Sequence, residues 1–247
     1  MMNVLYAIRM WLMVIFRMLP NAYNNEKPEE GFKEVFKCDL RTVASLPAHF
    51  NIGYPHLPLP EYQFRINGKC VGFGERGAQF ILVRNPIGTT KPYDACTLHT
   101  KGTWKYPRIK AWLKLPEGKG HWASIFTYGN DGPPEVDIFE WCKQWGSRIN
   151  MTMHKGYRDK IGIWSSKRNR LRVPGLTNGR LYCFEVELQP MRTIWRLNGI
   201  VTKVRKQSVD NQQRILIINV VSDRCGDNFV ETEKKGMKLE KLVVLQR

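Results

Sequence analysis

The chain has 247 residues, 43% of them hydrophobic, with 20 Gly and 14 Pro. This composition excludes a disordered or fibrous chain and suits one large β domain or two small ones. The net charge of +17, from 39 Lys and Arg against 22 Asp and Glu, favours an anionic partner: a sulfated or uronic polysaccharide, nucleic acid or an anionic surface. The six cysteines are dispersed, with no C-x-x-C pair, so no metal site is expected and the redox compartment stays open.

Residues 1–20 (MMNVLYAIRMWLMVIFRMLP) are apolar and compatible with a helix, but Arg9 and Arg17 interrupt them. The run from Met10 to Phe16 is too short to span a bilayer. Three readings stand: an atypical signal peptide, an interfacial amphipathic helix, or a docking helix for another subunit. Residues 21–31 read as a linker, and 32–247 as one domain.

From residue 32 the pattern is short strands and turns. Tyr62–Ile66 alternates and meets Asn67-Gly68, then Cys70–Phe73, predicting a hairpin. Gln79–Val83 is a compact apolar strand. In Arg108–Leu115, Ile109, Ala111, Leu113 and Leu115 fall on one face, and Arg108, Lys110, Trp112 and Lys114 on the other. Trp122–Tyr128 puts Trp122, Ser124, Phe126 and Tyr128 on one face. Further strands are expected at 149–154, 182–188, 193–197 before the Asn198-Gly199 turn, 215–221 and 239–245. No helix longer than three turns is expected after residue 31. The fold class is therefore all-β: a two-sheet antiparallel sandwich or jelly roll, with an N-terminal apolar helix.

Between the strands at 122–128 and 149–154 lies Pro133-Pro134-Glu135-Val136-Asp137-Ile138-Phe139-Glu140-Trp141, with three carboxylates in six residues. On a strand, Glu135 and Asp137 share a face and strict alternation sends Glu140 to the other. A β-bulge near Ile138 or Phe139 would bring it back. Crowded carboxylates raise at least one pKa. Two carboxyls roughly 5 Å apart, one ionised and one protonated, are what a retaining glycosidase needs. The alternative is a solvated acidic face.

Gly102–Pro116, then Gly120–Tyr128, then Glu135-Val136-Asp137-Ile138-Phe139-Glu140 together resemble glycoside hydrolase family 16. Weaker agreement continues through Met153-His154, Ile194–Gly199, Ile215–Asn219 and Lys241–Val244, so the resemblance covers roughly 32–247. It implies a jelly roll with substrate across the concave sheet. It also implies Glu135 as nucleophile, Asp137 as assisting carboxylate and Glu140 as general acid/base, without a cofactor. The strongly basic stretch from Lys155 to Arg172 departs from neutral-glucan enzymes.

Around the acids, Trp122 and Phe126 are either sugar-stacking residues or sandwich core. Trp112 is read as exposed beside its basic neighbours. Trp145 sits in a loop that could rim the cleft, and Trp164 and Arg158 lie in the basic stretch, which binds sulfate or carboxylate groups or is simply solvated. His154 is expected to bind near the acids. Asn219 is a cleft hydrogen-bonder or a bonded core amide.

The expected function is a retaining endo-acting glycosidase, or transglycosylase, acting on β-linked polysaccharide, neutral or anionic and sulfated, outside the cell or at its surface. The alternative is a non-catalytic carbohydrate-binding or structural protein on the same fold, such as a virion component. Nucleic-acid binding rests on charge alone, with no motif behind it, and is not expected.

Overall fold

A computed structural model describes residues 21–25, 29–53, 64–86, 92–117, 120–129, 132–158, 163–167, 170–173, 176, 179–221 and 236–247, together with Leu5, Ile8 and Leu12. In chain order the strands are β1 (Lys33–Asp39), β2 (Phe50–Ile52), β3 (Phe64–Ile66), β4 (Val71–Gly72), β5 (Ala78–Phe80), β6 (Val83–Arg84), β7 (Tyr93–Thr100), β8 (Arg108–Lys114), β9 (His121–Gly129), β10 (Gly132–Cys142), β11 (Arg148–Asn150), β12 (Met153–Arg158), β13 (Ile163–Lys167), β14 (Arg170–Arg172), β15 (Leu181–Gln189), β16 (Arg192–Leu197), β17 (Ile200–Arg205), β18 (Gln213–Val221) and β19 (Met237–Gln246).

They form two sheets. One runs β17-β16-β15-β8-β19-β5-β4, with β1 also on β19. The other runs β13-β12-β10-β9-β18-β7-β2 and carries the acidic strand near one side. Alternation sends Ile109, Ala111 and Leu113 of β8 and Ala123 and Ile125 of β9 into one apolar core between the sheets. At the β16–β17 hairpin, Asn198 (φ 48°) and Gly199 (φ 81°) are both left-handed, as a two-residue type I′ turn requires.

Three local expectations are corrected. Asn67-Gly68 is not a hairpin turn. Asn67 caps the short 3-10 helix Gly68–Cys70 through Lys69 N, and its Nδ2 donates to buried Asp94 at 2.7 Å. Phe64–Ile66 instead pairs in parallel with β7. The strand expected at 79–83 breaks at Ile81 and Leu82 into β5 and β6, which join different neighbours. The basic stretch is no open loop: its backbone forms β12, β13 and β14, and Arg170 and Arg172 are exposed.

The segment read as a linker also makes specific contacts. Ala22 is buried, its carbonyl accepts from Trp112 Nε1 at 3.0 Å, and Tyr23 OH donates to Glu240 at 2.8 Å. Glu29 pairs with Arg108. Ala22, Tyr23, Glu29 and Phe32 thus lie on the outer face of the first sheet, where Ala22, Trp112, Cys183, Val243 and Leu245 form a small apolar cluster. Trp112 is 1% exposed there, on the sheet that lacks the acids, so it is not a substrate-binding residue. Of its basic neighbours on β8, Arg108 and Lys110 are buried too, while Lys114 stays partly exposed. Of residues 1–20, Leu5, Ile8 and Leu12 are helical and exposed.

Beneath the cover, Arg108 donates to Glu185 at 2.9 Å, and Arg196 bridges Glu185 and Glu187 at 2.7 and 2.8 Å. Removing one member leaves an uncompensated buried charge, which costs about 3–5 kcal/mol. Glu185→Ala is therefore expected to lower stability by that amount in urea denaturation. Glu29→Ala, at the half-exposed end of the same network, should cost much less. Equal losses would show that the network does not carry the stability.

Candidate active site

The pairing of β10 with β9 slips between Asp137 and Phe139, leaving Ile138 as the extra residue. Ile138 and Phe139 both enter the core. The slip lets Glu135 oppose Tyr128, Asp137 oppose Phe126 and Glu140 oppose Ser124. Tyr128, Phe126 and Ser124 alternate on the face turned away from the core, so all three carboxylates share that face. The bulge is held on several sides. Trp195 Nε1 donates to Asp137 O at 2.8 Å, Ser124 Oγ to Phe139 O at 3.0 Å, and Asp137 N to Thr152 O at 2.9 Å.

His154 on β12 opposes Glu135, and its Nε2 lies 3.3 Å from Asp137 Oδ2 and 3.8 Å from Glu135 Oε1. Burial, then the nearby Asp137 charge, push the Glu135 carboxyl well above its ordinary range. Burial, then Glu140, do the same to Asp137. The cluster therefore holds a proton at a pH where free carboxyls have lost theirs. A site with one carboxylate and one carboxylic acid can attack with the first and donate a proton from the second.

The sequence profile of Glycosyl hydrolases family 16 matches residues 65–219, which include β10 and all three acids. The chain belongs to glycosyl hydrolase family 16. It is a glycosidase. Solved structures share the fold at low identity. The laminarinase catalytic domain of Thermotoga maritima aligns with TM-score 0.72 at 16% identity, covering 88% of this chain and 99% of that one. The laminarinase of Rhodothermus marinus gives 0.72 at 16%, covering 87% and 97%. LamA of Zobellia galactanivorans, in complex with laminaritriose and laminaritetraose, gives 0.71 at 15%, covering 86% and 98%. No match emerges among curated protein sequences.

In this family 16 enzyme the other candidate residues separate. Trp122 is half-buried on the acid-bearing face, opposite Cys142 and Val220. Phe126 is on that face but only 4% exposed. It packs with Tyr128, Leu216, Ile218, Tyr93 and Leu82 in a second apolar cluster, so it supports the floor rather than stacking on a sugar. Asn219 points the other way, into the core, as a bonded amide. Its Nδ2 donates to Phe80 O at 3.0 Å and its side chain meets His121 Nδ1. Burial pushes His121 down to about 4, so this pair is neutral. Trp145 is half-buried in the 3-10 helix Lys143–Trp145 that follows β10. Arg158 lies on β12 and Trp164 on β13, and their side chains fall outside the described part of the structure.

Glu135, Asp137 and His154 bring their ligating atoms within 4.8 Å of one another, close enough for a divalent cation. Proton donation and nucleophilic attack by carboxyl groups need no metal ion.

Trp195 was not legible as a site residue. It is 0% exposed on the opposite sheet and acts through the backbone of the acidic strand. Trp195→Phe keeps most of the volume and leaves Asp137 O without its buried donor. It should cost about 1–3 kcal/mol. It should also lower kcat more than it raises KM, because the acids rather than the sugar contacts are displaced. A stability loss with unchanged kcat would show that the bulge holds without this bond.

Proposed function

We propose that this chain is a retaining, endo-acting hydrolase of β-linked polysaccharide. The observation that carries the reading is the bulge at Ile138, which turns Glu135, Asp137 and Glu140 to one face. In the first step a Glu135 oxygen bonds to the anomeric carbon as the glycosidic bond breaks, and Glu140 gives its proton to the departing oxygen. Water then loses a proton to Glu140 and attacks the same carbon, releasing Glu135 with net retention. Asp137, buried beside Glu135 and close to His154, modulates the charge and proton of the nucleophile.

The laminarinases of like fold support a β-1,3-linked or mixed-linkage glucan backbone. The net charge of +17 supports a chain bearing carboxylate or sulfate groups. Transfer to a sugar acceptor would use the same covalent intermediate, so product analysis with added acceptor oligosaccharide separates the two outcomes. Cys142 is disulfide-bonded, which supports an oxidising, extracellular or cell-surface location. The exposed Leu5, Ile8 and Leu12 support surface docking of the N-terminal segment. The test is release of reducing ends from neutral, sulfated and uronic β-glycans. Folded wild-type protein inactive on all of them would sink the reading.

A further inference from the structure

Directly opposed residues on neighbouring strands lie on one face, so the acid-bearing sheet can be read in rows. One row runs His154, Glu135, Tyr128, Arg214. Arg214 shares β18 with Leu216, Ile218 and Val220, which lie on the acid-bearing side, while Ile215 and Ile217 enter the core. Arg214 is thus on the same face as the acids, two strands from Glu135. At roughly 5 Å per strand this places its Cα about 10 Å from that of the nucleophile.

Arg214 is half-buried, its Nε is closed off from solvent, and it makes no hydrogen bond with the described residues. The contrast with the outer sheet is informative. Arg108 is buried and Arg196 half-buried there, and each is matched by carboxylates. A guanidinium stays charged at any working pH, and partial burial without a counter-ion is costly. On the cleft side the nearest carboxylate in its row is Glu135, with Tyr128 in between.

We infer that Arg214 recognises an anionic substituent, a carboxylate or a sulfate, on a sugar next to the one held at Glu135. The two outer nitrogens of the planar guanidinium fit two oxygens of either group. A polysaccharide lying across the strands passes Tyr128 on its way from the acids to Arg214. The residue would therefore set which charged chains are accepted, and the acids which bond is cut.

The assignment rests on the polysaccharide reading above, so the test measures binding apart from turnover. Glu135→Gln protein is titrated at about 0.15 M salt with a neutral β-1,3-glucan, its carboxymethyl derivative and its sulfated derivative. One anionic derivative is expected to bind at least about tenfold more tightly than the neutral chain. The derivative that does so identifies the group. Adding Arg214→Gln should erase that preference. Adding Arg170→Gln, an exposed arginine on β14, should leave most of it. Equal binding of neutral and charged chains overturns the proposal. So does a preference lost as fully with Arg170→Gln as with Arg214→Gln, because the general positive field would then explain it. Charge-selective binding that depends on Arg214, with no wild-type turnover, would support this site and sink the hydrolase mechanism. Turnover of the neutral glucan with no Arg214 effect on any chain would do the reverse.

Discussion

Glu135→Gln is expected to abolish hydrolysis and, in the same protein, to raise stability at neutral pH. Loss of the nucleophile should cost at least about a thousandfold in kcat. The stability gain follows from linkage. Burial and Asp137 raise the folded-state pKa of Glu135 above its unfolded value. Such a group contributes fully while both states are protonated, below about 4.3, and its contribution is lost as pH rises through the folded-state pKa. At neutral pH the unfolded chain ionises this carboxyl freely, while the native site disfavours its charge. Glutamine keeps the shape without the charge. A gain in stability is expected at pH 7, read as a rise of about 3 °C in Tm per kcal/mol, and should vanish near pH 4. Thermal unfolding at both pH values checks it. A mutant less stable than wild type at pH 7, yet equal at pH 4, would show that this carboxylate is a stabilising member of the fold.

Glu140→Gln should behave differently, and the difference assigns the roles. Glutamine cannot give a proton to the leaving oxygen, so turnover of ordinary polysaccharide should fall by about 10²–10⁴. An aryl glycoside with a good leaving group needs no such proton. With it, formation of the glycosyl-enzyme should survive and its hydrolysis should become slow, giving a burst followed by a low steady state. Addition of a small anionic nucleophile should restore turnover, because it needs no general base. The same substrate with Glu135→Gln should show no burst. If Glu135→Gln bursts and Glu140→Gln does not, the two roles are exchanged. The acid limb of the wild-type pH profile should sit above the ordinary carboxylate range, since Glu135 and Asp137 lose their protons late.

Much of this site was legible before any coordinates. The spacing Glu135, Asp137, Glu140 is incompatible with one face of a regular strand, so it either needs a bulge or sends one acid inward. A charge sent into the core is costly, which makes the bulge the better solution. It occurs at Ile138. Asn219 was ambiguous because a polar residue in an apolar strand marks either face. Its place was decided by the carbonyl of Phe80 and the ring of His121, neither near it in sequence. Phe126 was ambiguous for a similar reason: alternation gives its face but not what packs over it, and Leu82 and Tyr93 come from other strands.

Trp112 marks the boundary most clearly. Its place opposite the core-facing residues of β8 follows from alternation alone. Its burial depends on Ala22 and Phe32, which lie 80 to 90 positions before it in sequence, and no local pattern encodes that contact. The acidic strand divides in the same way. By itself the sequence determined an all-β chain with three acids placed for carbohydrate chemistry, because strand periodicity and charge repulsion act over a few residues. Only the tertiary structure decided that Trp195 and Ser124 hold the bulge open toward the cleft, that His154 faces Glu135, and that Arg214 shares their row. Those relations are set by register between residues as far apart as Tyr128 and Arg214, where each partner's contribution exists only once the sheets have formed.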